Sequence, residues 1–209
     1  MVQLRQVVIQ AGLVVLAVAG CTTAKNTALP PGDLRNFDPI ASFAAMAGYA
    51  GPEARLVSLS AYFVRIDGTM DLEAEYHSYL DAQFVTKATT EDVQGQGPLA
   101  PGSGFKAGDD LRTGLVVRAP AMYHVTSGGS EWDEKHLGMG RTPGGKVSGD
   151  PRTIDPPRCG FALLWQKAIE RGAPVDVVAN ITYDSKGYTF DANGRDFRRE
   201  FGQDCTMIE

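Results

Sequence analysis

Residues 161–192 read FALLWQKAIERGAPVDVVANITYDSKGYTFDA and carry the clearest fold signal in the chain. The beginning of this stretch predicts an amphipathic helix, because its apolar side chains recur at helical spacing along one face. Gly172 ends the helix, and Pro174 prevents its continuation. The apolar face consists of Phe161, Leu164, Trp165, Ala168 and Ile169.

Two strands, each with alternating apolar and polar residues, follow this helix. The first is predicted from Val175 to Tyr183, and residues 184–187 form the turn into the second. A last strand is expected at about 196–201, shortly before Cys205. The side chains predicted to face inward are Val175, Val177, Ala179, Ile181 and Tyr183 on the first strand, and Tyr188, Phe190 and Ala192 on the second.

A similar unit begins near residue 38. Asp38 is a good helix N-cap and Pro39 suits the first helical position, so a helix is predicted there, ending at Gly48 or Gly51. Its apolar face holds Ile40, Phe43, Ala44 and Ala47.

Strands are expected to follow this helix too. One is predicted at 55–66, a tight turn at Asp67-Gly68, a return strand at 69–76 and a third strand at 82–87. Such alternation is typical of an antiparallel sheet with one wet face, on which Tyr62, Tyr76 and Tyr79 would lie. The inward side chains are predicted to be Val57, Leu59, Ala61 and Phe63, then Met70, Leu72 and Ala74.

The expected fold class is therefore α+β, an antiparallel sheet packed by two helices. The two units have the same order of elements, which indicates either a duplicated α-β-β module or two convergent helix-plus-hairpin units. Between them, residues 94–150 contain 13 glycines and 4 prolines. This composition favours long loops with one or two strands or a hairpin, the strand-like runs being 114–117 and 121–125.

The N-terminus has the pattern of an export signal. A short apolar run leads into Val18-Ala19-Gly20-Cys21, and the run is too short for a comfortable membrane span, which needs roughly 20 apolar residues. The pattern resembles the bacterial lipobox. That resemblance implies diacylglycerol on the Cys21 thiol, cleavage between Gly20 and Cys21, and acylation of the new amino terminus by palmitate or a similar chain. An ordinary secretory signal and an N-terminal membrane helix are the alternatives.

The residue after Cys21 is Thr22, not Asp. By the sorting pattern of Gram-negative lipoproteins, this implies that the protein is located at the outer membrane, on its periplasmic face. The predicted organisation is a signal peptide at 1–20, a flexible tether at 21–35, and one α+β domain at 36–209. This domain could also consist of two lobes, 36–93 and 151–209, with the Gly-rich segment 94–150 between them. The formal net charge of -5 argues against nucleic acid as a partner.

Two cysteines remain after Cys21 is assigned to lipid. An exported protein meets an oxidising compartment, so Cys159 and Cys205 are predicted to form a disulfide bond. In the chain-entropy picture such a bond contributes roughly 3 to 4 kcal/mol. Two buried free thiols, or a metal pair with no further ligands, are the alternatives.

No motif for catalysis, metal or cofactor emerges. The histidines, His77, His124 and His136, lack metal-ligand spacing, although His136 lies in a charged loop that could hold an acid or base. No serine has the setting of a nucleophile, and no glycine loop matches a phosphate-binding motif. Acidic pairs occur at 109–110 and 133–134, and the alternating row Asp71, Glu73 and Glu75 is interpreted as the wet face of a strand. No catalytic residue, cofactor or metal is therefore predicted.

The stretch from Cys159 to Pro174 resembles uncharacterised lipoproteins of Gram-negative bacteria, and this resemblance implies no activity. In architecture the tandem helix-plus-sheet units are also similar to PepSY modules and to the secreted β-lactamase-inhibitor fold. The leading hypothesis is a non-enzymatic, membrane-anchored envelope lipoprotein that binds a protein or another envelope component. A small-ligand-binding or inhibitory periplasmic module, and an enzyme with a site assembled from scattered residues, are the alternatives.

Overall fold

The computed structural model of the chain describes residues 29–74, 78–94, 104–118, 122–126, 129–133 and 138–208. These residues form three α-helices, one 3₁₀ turn and ten strands. The helices are α1 (Phe43–Ala50), α2 (Thr90–Gln94) and α3 (Phe161–Ile169), and the 3₁₀ turn is Leu34–Asn36. The strands are β1 (Arg55–Val64), β2 (Tyr79–Lys87), β3 (Asp110–Arg118), β4 (Met122–Thr126), β5 (Gly129–Asp133), β6 (Gly138–Lys146), β7 (Ala179–Asp184), β8 (Gly187–Ala192), β9 (Arg198–Phe201) and β10 (Met207–Ile208).

Eight strands form one antiparallel sheet in the order β10-β9-β8-β7-β1-β2-β3-β6, and β4 pairs with β5 in a separate two-stranded sheet. The α+β class is thus confirmed. Strands of the two predicted units lie side by side, because β1 pairs with β7. Both longer helices contribute to one hydrophobic core against a single face of the sheet.

Helix α3 confirms the prediction made from its apolar stripe. Phe161, Leu164, Trp165 and Ala168 are buried, and the chain turns at Gly172 as expected. The strand after it starts later than predicted, since Val175 is 60% exposed and pairing begins only at β7. The hairpin of β7 and β8 and the last strand, β9, are confirmed. Strand β10 was not predicted.

The prediction that Asp38 is the N-cap of α1 is wrong: Asp38 caps the turn that precedes the helix, and Ser42 is the N-cap. The Asp38 carboxylate accepts the backbone N–H groups of Ile40 and Ala41, at 2.8 and 3.1 Å. The following residues form a turn, and the helix itself begins at Phe43. Its buried side chains are Met46 and Ala50, whereas Ala44, which was predicted to face inward, is exposed. The helix ends before Gly51, as expected.

Strand β1 confirms the predicted position but not the predicted inner face. Its pairing with β2 shifts register between Leu56 and Ser58, and its pairing with β7 shifts between Ala61 and Val64. Each bulge moves the following side chains to the other face of the sheet. As a result Leu56, Leu59, Ala61 and Val64 are buried, while Val57 and Phe63 are only half-buried, so their assignment to the inner face was wrong.

The predicted return strand at 69–76 is wrong over its described part, residues 69–74. The Asp67-Gly68 turn does form, but Met70 then makes an isolated bridge with Phe37, and the Leu72 N–H donates to the Leu34 carbonyl at 2.8 Å. Strand β2 is the partner of β1 instead. It contains the predicted third strand at 82–87 and starts three residues earlier.

The described part of the Gly-rich segment contains more strands than the one or two expected from its composition. The strand-like runs do form β3 and β4, and β4 pairs with β5 as a hairpin, but β6 also joins the main sheet beside β3. An ion pair fastens this region to the helices. Arg141 on β6 makes two hydrogen bonds to the buried Asp92 carboxylate of α2 and donates to the Ala50 carbonyl at the end of α1.

Burial alone would raise the pKa of Asp92, but the hydrogen bonds from Arg141 and Thr89 outweigh it and hold this pKa below its ordinary value. Asp92 therefore stays ionised at neutral pH. Because both groups are largely removed from water, the pair fixes the short helix α2 against β6.

Candidate functional site

The face of the main sheet opposite α1 and α3 carries a row of polar side chains beside the apolar Val85 and Val116. Among the described residues no helix packs on it, and we call it the open face. One row crosses four neighbouring strands, because Thr189 pairs with Thr182, Thr182 with Ser60, and Ser60 with Asp81. The hydroxyls of Ser60 and Thr182 are 3.2 Å apart. The open face comprises Ser58, Ser60, Tyr62, Tyr79, Asp81, Gln83, Thr182 and Thr189, all half-buried.

Two of the tyrosines predicted for the wet face meet there. Tyr62 and Tyr79 pair across β1 and β2, and their rings stack at 4.3 Å. Burial, together with the neighbouring Tyr62, raises the pKa of Tyr79 to about 12. The phenol is therefore neutral at physiological pH and remains a hydrogen-bond donor. Tyr76 lies outside the described residues.

A second surface feature lies at the β9–β10 edge of the sheet. A shallow groove of about 740 Å³ is formed where the end of α3 approaches these strands. No sequence pattern indicated this groove, since its cations come from separate segments. We call it the β9–β10 groove, and its lining is Arg171, Arg198, Arg199, Glu200, Met207 and Ile208.

Two smaller hollows open elsewhere. One, of about 430 Å³, lies between the start of β1 and the loop around Arg152, whose φ of 45° is left-handed. The other, of about 330 Å³, is bordered by Arg158, Tyr183 and Cys205. Both mix cations with carboxylates.

The acidic pair at 109–110 takes part in ion pairs, whereas the side chains of the pair at 133–134 lie outside the description. Asp109 lies 3.2 Å from Lys146, and Asp110 lies 2.9 Å from Lys87. Hydrogen bonds lower the pKa of both carboxyl groups. Asp109 accepts them from the Lys106 backbone N–H and from the Lys146 side chain. Asp110 accepts one from the Lys87 side chain. Each carboxylate is thus ionised, which suits a structural role better than that of a general acid.

Asp71 and Glu73 do not lie on a strand as predicted, and Glu75 lies outside the described residues. Asp71 accepts a hydrogen bond from Arg65 at 2.6 Å, and Glu73 accepts one from Arg35 at 2.7 Å. These bonds hold the segment after the Asp67-Gly68 turn against the 3₁₀ turn.

Of the three histidines, His77 and His136 lie outside the described residues and His124 lies on β4. Within the described part of the chain, no group of three or more His, Cys, Asp or Glu side chains is placed to hold a metal ion.

The predicted disulfide bond between Cys159 and Cys205 is present, with a Cα–Cα distance of 5.7 Å. It joins the residue just before Gly160 and α3 to the loop between β9 and β10. The predicted lipid-attachment and cleavage residues, Cys21 and Gly20, lie outside the described residues. Across the described ranges, no helix is both long and apolar enough to cross a membrane.

Comparisons with protein-family models, with curated proteins and with solved structures find no significant match to this chain.

Proposed function

We propose that the chain is a non-enzymatic lipoprotein of the cell envelope, held at the outer membrane through Cys21, that binds an envelope protein through its open face. The observation that carries the binding role is the polar row of Thr189, Thr182, Ser60 and Asp81 beside the stacked tyrosines. It offers hydroxyl, carboxylate and phenol groups on a flat surface. Interfaces of this kind are rich in tyrosine and are bound by many hydrogen bonds.

The anchor supports this role because it fixes the body beside the membrane. A lipobox-type Cys21 carries more than one acyl chain, and two or more chains are needed for stable attachment. The sheet then meets other envelope proteins at a high local concentration, so a modest affinity is enough for binding.

The proposal includes an internal duplication. Helix α1 precedes β1 and β2, and α3 precedes β7 and β8, so both units have the order α-β-β. Their first strands lie adjacent and antiparallel in the sheet, an arrangement that favours an approximate two-fold relation. Superposing the backbones of residues 43–87 and 161–192 tests this: a duplication should align the helix and both strands together, and failure of any one element to align would remove it.

Cys21→Ser should abolish lipid attachment and move the protein from the membrane fraction to the soluble envelope fraction. The thiol is the alkylated group, and a serine hydroxyl does not replace it. Metabolic labelling with a clickable fatty acid, followed by fractionation, measures both effects. A variant with Cys159→Ala and Cys205→Ala is the matched control and should keep the label. An unlabelled wild-type protein would contradict the anchor.

Asp81→Lys should reduce capture of the envelope partner at least tenfold, because reversing one charge inside an interface costs more than about 1.4 kcal/mol. Asp81 lies in the middle of the open face and accepts a hydrogen bond from Gln83 at 3.3 Å. The measurement is cross-linked affinity isolation from membranes, with quantified enrichment over the Cys21→Ser form.

Glu170→Lys is the matched control for this experiment. Glu170 is exposed at the end of α3, on the other side of the sheet, and its substitution changes the net charge equally. It should leave capture unchanged. The open-face assignment fails if both variants lose capture equally, and the whole binding role fails if no envelope protein enriches over the Cys21→Ser form.

A further inference from the structure

We propose that the β9–β10 groove binds an extended, acidic segment of another polypeptide. This goes beyond the proposed function, because the groove lies at the outer edge of the sheet and does not depend on the lipid anchor. Its Glu200 pairs with Thr189, so the groove borders the open face.

The first argument is charge. Arg171, Arg198 and Arg199 line the groove with a single carboxylate, Glu200, whereas the chain as a whole carries a formal net charge of -5. Glu200 lies 3.9 Å from Arg198, and this single carboxylate leaves two of the three positive charges of the lining unbalanced. Arginine is the side chain best suited to bind carboxylates, because its planar fork donates two parallel hydrogen bonds.

The guanidinium of Arg199 is held in place. It lies 4.4 Å from the centroid of the Phe197 ring and donates to the Arg198 carbonyl at 2.7 Å. A cation fixed in this way loses little side-chain freedom when an anion binds. One member of the cluster is thus oriented before any ligand arrives.

The second argument is the edge of the sheet. Strand β10 pairs only with Glu200 and Phe201, so among the described residues β9 has no outer partner at Arg198. The N–H of Ala192, on β8, donates to the carbonyl of Phe197 at 3.0 Å, so the backbone hydrogen-bonding groups of Phe197 point towards β8. Because the direction alternates along an antiparallel strand, the N–H of Arg198 points outward, towards a bound chain.

The third argument is the apolar part of the lining. Met207 is half-buried and Ile208 is 49% exposed, and both lie beside the arginines. A segment that combines acidic with apolar side chains would satisfy both kinds of group. The volume of about 740 Å³ accommodates several residues of an extended chain, and its concave shape fits a peptide better than the flat surface of a membrane.

The test is selection of displayed random dodecapeptides against the purified full-length chain, followed by affinity measurement of the selected peptides by fluorescence anisotropy. The selected pool should be enriched in Asp and Glu. Arg198→Glu and Arg171→Glu should each weaken binding about tenfold or more, since each removes a charged hydrogen-bond donor and adds a like charge. Binding should also weaken as salt is raised.

Arg112→Glu is the matched control. Arg112 is exposed on β3, five strands away from β9, and its substitution changes the charge equally. The proposal is overturned if no peptide is selected, if the pool lacks acidic enrichment, or if the Arg112 variant loses as much affinity as the groove variants. Arginine-dependent binding to phosphatidylglycerol vesicles without acidic peptide selection would assign the groove to a membrane surface and would likewise overturn it. Circular dichroism confirms that each variant is folded.

Discussion

Trp165→Ala should lower the free energy of unfolding by about 4 kcal/mol, the cost of replacing a fully buried large side chain by alanine. Trp165 on α3 is 0% exposed, and its ring meets that of Phe190 edge-on at 4.8 Å. Its indole N–H donates to the carbonyl of Val64, at the end of β1, at 3.3 Å. One side chain therefore ties α3 to strands from both units of the sheet.

The effect can be divided into packing and hydrogen bonding. Trp165→Phe keeps most of the apolar volume but leaves the Val64 carbonyl without its donor, so it should cost about 1 to 3 kcal/mol. Leu163→Ala, on the same helix, is the matched control. Leu163 is 40% exposed, and its truncation should change stability by about 0.5 kcal/mol or less.

Urea unfolding followed by circular dichroism measures these differences, since tryptophan fluorescence itself changes when one of the two tryptophans is removed. The free energy of unfolding of a domain is roughly 5–15 kcal/mol, so the loss expected for Trp165→Ala is a large fraction of the total stability. If Trp165→Ala proved no more destabilising than Leu163→Ala, this tryptophan could not be the link between the helix and the sheet.

Helix α3 and the hairpin after it were predictable because their signals are local. The helical stripe needs only residues within two turns, and Ile181 and Tyr183 alternate with polar neighbours up to a short turn. The buried positions on α3, β7 and β8 follow from these patterns without knowledge of the remaining chain.

Strand β1 shows where local pattern fails. Val57 and Phe63 fit a simple alternation, but two bulges break it, and bulges depend on the partner strands. Phe63 has a left-handed φ of 64°, and its N–H donates to the Asn180 side chain at 3.2 Å. A contact between residues 117 positions apart has no signal in the sequence around Phe63.

Met70 and Leu72 also alternate, and both are buried, yet they lie outside the main sheet. Their backbone partners are Phe37 and Leu34, from the chain before α1. Periodicity identified Met70 and Leu72 as inward, but Ala74, also predicted to face inward, is exposed, and the pattern could not say which segment covers the buried pair.

In the Gly-rich segment, residues 94–150, the glycine content was a poor guide to where loops occur. Gly144 lies on β6 where a Cβ atom would stand 2.7 Å from the carbonyl oxygen of Arg112 on β3. Glycine there permits close approach of two backbones instead of marking a loop.

The β9–β10 groove could not be predicted from the sequence, since Arg171 and Arg198 come together only once α3 packs beside β9.

Removing the Cys159–Cys205 disulfide bond should cost about 4 kcal/mol in the chain-entropy picture, because the bond closes a loop spanning 46 positions of the chain. That loop contains α3 and β7 to β9, so the unfolded chain gains freedom over the whole C-terminal unit. The native state also loses local support. Cys159 is buried, and its N–H donates to the Tyr188 hydroxyl at 3.2 Å, while Lys167 donates to the Cys205 carbonyl at 2.8 Å.

The double variant Cys159→Ala, Cys205→Ala isolates this contribution, because alanine leaves no free thiol and buries no hydroxyl. Its unfolding midpoint in urea should fall, and reduced wild-type protein should approach the same value. Intact mass before and after reduction should differ by two hydrogen atoms in the wild type. Opening of the bond should also raise amide hydrogen exchange at β9 and β10, which the Cys205 loop connects, while β2 and β3 keep their protection. An unchanged urea midpoint would mean that the disulfide bond does not stabilise the protein. Equal loss of amide protection in β2, β3, β9 and β10 would mean that it does not act on the C-terminal unit specifically.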